Sequence, residues 1–242
     1  MQLTHQTILI TGGTSGIGYE LGQALLAKNN KVILLGRNRQ QLEKAAEQGF
    51  EAIACDLAKT EEVEAAAVRI QNDFSDISVL FNNAGVQYNY HFTEEVVAPQ
   101  KIRQEIEINI SGQILLTQLL LPLLSTADQA LIVNTTSGLG AFPKADGLVY
   151  SATKAAMRNF TIGLRYALQD TVVKVSEFIP PVTDTGMTAG RSEKKMPVGK
   201  LIASILPQLE KERKIATVPA MRVFLWIAFL FPGLANRILT SK

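Results

Sequence analysis

The sequence predicts a doubly wound parallel α/β sheet of about seven strands, with helices on both faces. Three observations carry this expectation. Short β-branched or aliphatic runs alternate with longer segments of helical period along the chain. Those runs are apolar at successive positions, the pattern of strands covered on both faces, where a strand with one wet face would alternate. A glycine-rich turn joins the first strand to the first helix, where open α/β sheets hold their ligands.

The strand runs are 7–11, 31–36, 51–55, 77–82, 130–136 and 172–178, and a short last strand follows at 215–218. Helical patterns lie between them at 17–29, 38–48, 60–73, 98–124 and 149–169, then at 200–213. The stretch 183–199 is rich in Gly, Thr and charge and is expected to be a mobile loop over the substrate. The end of the chain, 220–242, is an apolar and basic tail whose helix is interrupted at Pro232 and Gly233. No repeat or linker divides the 242 residues, so they are expected to form one domain.

Composition narrows the function. The net charge of +2 gives no reason to expect a nucleic-acid partner. Charge is nevertheless uneven, since 191–242 holds ten Lys or Arg against three Glu. The single Cys55 has no thiol partner for a disulfide or a zinc site, which favours a reducing compartment; its plainer reading is a small buried hydrophobe at a strand end. No metal site is expected. Residues 1–13 run straight into strand and glycine signals without the pattern of a secretion signal, so the protein is expected to be cytoplasmic. The apolar run between Arg222 and Arg237 has 14 residues and reaches only about 21 Å as a helix, short of a bilayer core.

The chemistry begins at TGGTSGIG, residues 11–18. Gly12, Gly16 and Gly18 let the backbone turn tightly and come close to a pyrophosphate, while Thr14, Ser15 and Ile17 complete the approach to the helix N-terminus. After the second strand an Asp or Glu would accept hydrogen bonds from a ribose 2′-OH. This chain has Gly36, Arg37 and Asn38 there, so a 2′-phosphate is favoured and with it NADP(H). Arg37 could instead be a solvated charge and Asn38 a helix cap. Asp56 and Leu57 end the third strand, where they could bond and pack an adenine, or Asp56 could cap the next helix.

Tyr150 and Lys154 stand four apart in YSATK and share one helical face. A phenol titrates near 10, and an ammonium about 4 Å away would favour the phenolate by about 4 kcal/mol at an effective dielectric near 20. Ser137, at the end of a strand, supplies a hydroxyl for a substrate oxygen.

In order and spacing, TGGTSGIG, NNAG at 82–85, EINISG at 107–112, Ser137 and YSATK resemble the short-chain dehydrogenase/reductase family, from residue 7 to about 187. The resemblance implies a Rossmann-type fold and an active site of Asn109, Ser137, Tyr150 and Lys154. Tyr150 would be the acid-base group and Ser137 would orient the carbonyl. Lys154 would bind the nicotinamide ribose and lower the Tyr150 pKa, and Asn109 would hold a proton-relay water. It also places Asn83, Ala84 and Gly85 on the cofactor, with Pro180 and Thr185 near the nicotinamide. Pro181 stands where the family pattern has Gly, which stiffens that loop. With NNAGVQ and TTSGLGAF, the PP variant is similar to a bacterial subgroup labelled with the teichoic-acid D-alanylation operon.

The expected activity is therefore NADPH-dependent interconversion of a carbonyl and an alcohol on a small molecule, by a homodimer or homotetramer. Two alternatives remain on the same fold: a silent nucleotide sensor, and a membrane-surface protein led by its tail. The tail could be a lid, a subunit contact or an interfacial helix. Packing against the protein itself or a second subunit is favoured, because the run lacks the polar face that a bilayer surface demands.

Overall fold

In a computed structural model that describes residues 1–94 and 96–235, seven parallel strands form one sheet in the order β3-β2-β1-β4-β5-β6-β7. The strands are β1 Thr7–Thr11, β2 Lys31–Gly36, β3 Glu51–Ala54, β4 Ile77–Asn82, β5 Ala130–Thr135, β6 Val173–Ile179 and β7 Ile215–Thr217. The helices are α1 Gly16–Leu26, α2 Arg39–Ala46, α3 Thr60–Asp73, α4 Pro99–Ile106, α5 Gly112–Leu124, α6 Leu148–Ala167, α7 Val198–Glu210 and α8 Pro219–Leu230. Sheet order reverses direction between β1 and β4, which opens a crevice above their C-terminal ends.

Consecutive strand residues serve opposite cores, which is why the runs are apolar without alternation. On β1, Leu9 packs with Val63 and Ile70 of α3 and Leu116 and Leu120 of α5. Its neighbours Ile8 and Ile10 pack on the other face with Leu21 and Leu25 of α1 and Leu201 and Ile205 of α7. Across the middle of the sheet, Asn82 and Asn134 lie in register and share a buried hydrogen bond of 2.8 Å. Each then reaches a helix: Asn82 donates to Thr117 of α5 and Asn134 to Thr161 of α6. These buried hydrogen bonds fix those helices over β4 and β5, although the Asn82 Oδ1 has no partner among the described residues.

The largest departure from the expected elements is at 98–124. One helix is expected there; α4 and α5 are instead separated by a π-helical turn, Glu107–Ser111. The wider turn holds Asn109, whose side chain bonds outside the helix. Gln113 answers the disturbance, its buried side-chain amide facing the carbonyls of Ile108 and Asn109 at 3.0 and 3.1 Å and that of Ala84 at 3.0 Å. Over Pro99–Leu124 the continuous helical run is 26 residues with a mean hydropathy of 1.3 in its most apolar stretch. It, and not the segment between Arg222 and Arg237, is therefore the longest apolar helix among the described residues. Leu116, Leu120 and Leu124 turn its inner face into core.

Smaller differences are at element ends, where hydrogen bonding and not hydrophobic pattern decides. Strand β3 stops at Ala54, one residue before Cys55. The 183–199 stretch contains a short turn, Gly186–Thr188, and is tied by a parallel bridge between Thr183 and Met196. Helix α7 begins inside its end, at Val198. Of the tail, α8 covers Pro219–Leu230, and 236–242 lie outside the described residues.

Candidate active site

The crevice is a cavity of about 990 Å³, at the top of the range for small-molecule sites of about 300–1,000 Å³. One end is built by the turn after β1. Gly12 has φ +64°, and a Cβ there would stand 2.8 Å from the Ala84 Cα. A Cβ on Gly18 would meet the Gly12 carbonyl oxygen at 2.4 Å. Side chains at either position would push the turn and β4 apart, so the backbone itself forms the wall. Ser15 precedes α1 in extended backbone and its side chain does not cap the helix, whose first turn carries no acid. A helix N-terminus left in that state favours an anion.

Thr14, Ser15, Gly16 and Ile17 line this end with Gly12 and Gly18, and Arg37 closes it from the end of β2. Arg37 is exposed and has no ion pair among the described residues. Asp56, Leu57, Asn83, Ala84 and Gly85 continue the lining, and Pro180 and Thr185 stand on the far wall. The Asp56 carboxylate also accepts from the Ala58 N–H at 3.1 Å, so it faces the cavity and holds its own turn together. Asn38, next to Arg37, is not part of the cavity lining. Its side chain accepts from Gln41 N–H at 3.2 Å and caps α2. A bare glycine turn, an uncapped helix start, an unpaired guanidinium and this volume fit a dinucleotide.

The other end gathers Ser137, Tyr150 and Lys154. Ser137 follows β5 and its hydroxyl accepts from Leu139 N–H, which fixes the turn 138–140. Tyr150 and Lys154 project from the first turns of α6, with the Lys154 Nζ 5.7 Å from the Tyr150 ring centroid. That Nζ is buried and donates to the Thr135 carbonyl at 2.8 Å. Burial pulls the lysine down to about 8. Burial pushes the Tyr150 phenol up to about 12; the Ser137 hydroxyl and then Arg191 pull it back, and Glu105 adds to the rise. The Lys154 Nζ thus stands close to the ring, but its hydrogen bond goes to the backbone of β5 and not to the phenol.

Asn109 stands behind this wall and not on the cavity surface. Its Oδ1 accepts from Val86 N–H at 2.8 Å, and its Nδ2 donates to the Val86 carbonyl at 2.9 Å and the Thr153 hydroxyl at 3.1 Å. Both side-chain N–H groups are thus spent, so a water held by Asn109 would donate to the second lone pair of Oδ1 or to the backbone carbonyl, which Gln113 also faces. Glu105 of α4 pins the same loop by accepting from Tyr88 N–H and the Tyr90 hydroxyl at 3.0 and 2.9 Å. Burial raises the Glu105 carboxyl despite those two donors.

A family model described as short chain dehydrogenase matches residues 6–196. This chain belongs to that family. Its dehydrogenase relatives include an uncharacterized oxidoreductase of Bacillus subtilis, DltE, 39% identical over 81% of this chain and 78% of the relative. A serine 3-dehydrogenase of Agrobacterium fabrum is 35% identical over 77% of this chain and 75% of the relative. Among solved structures, a short chain dehydrogenase from Burkholderia cenocepacia in complex with NADP superimposes with a TM-score of 0.88, at 25% identity, over the full length of both chains. Family membership makes this an oxidoreductase fold with a nicotinamide dinucleotide as its cofactor class, which the glycine-lined end of the cavity fits.

Sequence reasoning expected the 183–199 loop over the substrate and kept the tail as a possible lid, but named no residue of the outer part of the site. Met187, Lys144, Arg191 and Glu193 line it from the loops, and Met221 and Phe224 from α8. A Cβ on Gly138 would stand 2.9 Å from the Met221 sulfur, so glycine lets α8 lie directly on the Ser137 turn. Helix α8 is thus a cavity wall on one side only. Val223, Trp226 and Phe229 on its other side are 58%, 60% and 79% exposed, so the protein's own body does not cover them. Cys55 also lines the cavity, but burial first and then Glu62 and Asp56 push its thiol up to about 12, leaving it inert.

Proposed function

We propose that this protein is an NADPH-dependent oxidoreductase that interconverts a carbonyl and an alcohol on a small molecule. One observation carries the reading: Ser137, Tyr150 and Lys154 line the same cavity as the glycine turn and Arg37. When bound, the nicotinamide supplies or takes up the hydride. Gly12, Thr14, Ser15, Gly16, Ile17 and Gly18 would hold the pyrophosphate side, and Arg37 the 2′-phosphate. In reduction the Tyr150 hydroxyl gives its proton to the carbonyl oxygen, and in oxidation it takes the alcohol proton back. A phenol near 12 stays protonated at neutral pH, which suits the reducing direction. Ser137 orients the substrate oxygen. Lys154, with one N–H spent on Thr135, has two left for the ribose and for a proton path. Asn109 is a positioning residue that holds the Val86 turn in place.

The serine 3-dehydrogenase relatives act, by name, on a hydroxy amino acid, which falls within the same reaction class. The N-terminal pattern and the lone Cys55 support a cytoplasmic enzyme, and the family resemblance supports association as a homodimer or homotetramer through α4, α5 and α6. Following NADPH absorbance over a panel of ketones, aldehydes and oxo acids tests the reading. NADPH consumption with at least one class is expected. An enzyme that binds NADPH but oxidises it with no carbonyl compound would support the sensor alternative.

A further inference from the structure

The outer end of the cavity holds two cations in different situations. Lys144 is paired twice, with Asp146 at 3.2 Å and Glu193 at 3.5 Å. Arg191 lines the same space, yet no carboxylate lies within 4.0 Å of its guanidinium among the described residues. Its Nε–H is buried with no acceptor among the described residues. A buried guanidinium donor without a partner costs free energy, and a ligand acceptor would recover it. Arg191 is also near enough to Tyr150 for its charge to act on the phenol.

Resting on the reading above, we propose that Arg191 is the carboxylate anchor of this site and that the substrate is a small hydroxy acid or oxo acid. The planar fork of arginine matches a carboxylate through paired hydrogen bonds, and a cavity that excludes water strengthens them. Met187, Met221 and Phe224 offer the remaining surface of the substrate an apolar wall. In the reducing direction the carbonyl carbon of the oxo acid would take up the hydride that a bound reduced nicotinamide supplies, the C=O π electrons would move to oxygen, and the Tyr150 hydroxyl would give that oxygen its proton while the carboxylate stays on Arg191.

Calorimetric titration of the NADPH-loaded protein with 2-, 3- and 4-hydroxybutyrate and with their methyl esters tests the anchor without turnover. At least one acid is expected to bind about tenfold or more tightly than its ester, as for a site built to pair with one group. Arg191→Met should remove that preference and leave ester and NADPH affinities unchanged. Arg191→Lys should keep part of it, and serves if the methionine variant does not fold. Equal binding of every acid and its ester, no binding by any acid, or a preference that survives in Arg191→Met would overturn the anchor. Tyr150-dependent turnover of an ester without acid preference would overturn the anchor alone, leaving the oxidoreductase reading intact. Acid-selective binding that never leads to turnover would do the reverse.

Discussion

The ammonium of Lys154 is bonded to the backbone carbonyl of Thr135, the last residue of β5, and not to the phenol four residues before it on the same helix. Shared helical face brings Tyr150 and Lys154 into one cavity, but the strand end decides where the charge points. Lys154 is therefore a buried cation held by a neutral acceptor, with its pKa drawn down from 10.5 to about 8.

That burial should be visible in stability. Below pH 8 both folded and unfolded chains carry the Lys154 charge, and the fold bears the whole penalty of burying it, at most about 3 kcal/mol from the difference in pKa. The penalty fades as pH rises from 8 to 10.5, because the folded state gives up its proton first. Lys154→Met should raise Tm at pH 7, less about 1 kcal/mol for the lost hydrogen bond, with the gain shrinking above pH 8. A variant less stable than the parent at pH 7 would contradict this; turnover should be lost in either case.

Replacing Tyr150 by Phe keeps the ring and removes the hydroxyl that Ser137 and Arg191 act on. Turnover should fall by at least about 10²- to 10⁴-fold, the usual worth of a positioned acid-base group. NADPH affinity, measured by fluorescence titration, should stay close to that of the parent. Near-normal turnover would remove Tyr150 from the mechanism.

Arg37 is the one cation at the β2 end of the cavity among the described residues, and no carboxylate pairs with it there. NADPH should bind at least tenfold more tightly than NADH, about 1.4 kcal/mol. Arg37→Asp should reverse the order by repelling the 2′-phosphate and accepting from the 2′-OH. Equal affinities in the parent protein would count against the assignment.

Truncation after Val218 should separate the two sides of α8. None of Pro219–Leu230 is buried, and Ala235 is the one buried residue that the cut removes among the described ones, so little core is lost and Tm should move by only a few degrees, at about 2–4 °C per kcal/mol for a chain this long. Without Met221 and Phe224 the outer cavity opens, so KM for substrate should rise while NADPH affinity holds. Trp226 is the only tryptophan, and in the full-length protein its emission should shift to the blue as concentration rises if a second copy covers the exposed side. Truncation that abolishes folding would show that α8 carries more of the core than its exposure allows.

The sequence by itself determined the sheet, the glycine turn and the shared helical face of Tyr150 and Lys154. Each of these is local or periodic: apolar runs at consecutive positions require two covered faces, and four residues along a helix always share a side. Arg37 and Cys55 were legible for the same reason, as residues whose neighbours in the chain are their neighbours in space. Tertiary structure alone decided the rest. The Thr135 carbonyl claimed Lys154 from 19 residues away, and Val86 claimed both polar atoms of Asn109, opening the π turn that a continuous helical pattern hides. Arg191, Met221 and Phe224 reached the cavity only because a loop and a late helix fold back over β5 and α6. No periodicity encodes such contacts, since they depend on which distant backbone groups are left without a partner when the sheet and its helices have packed.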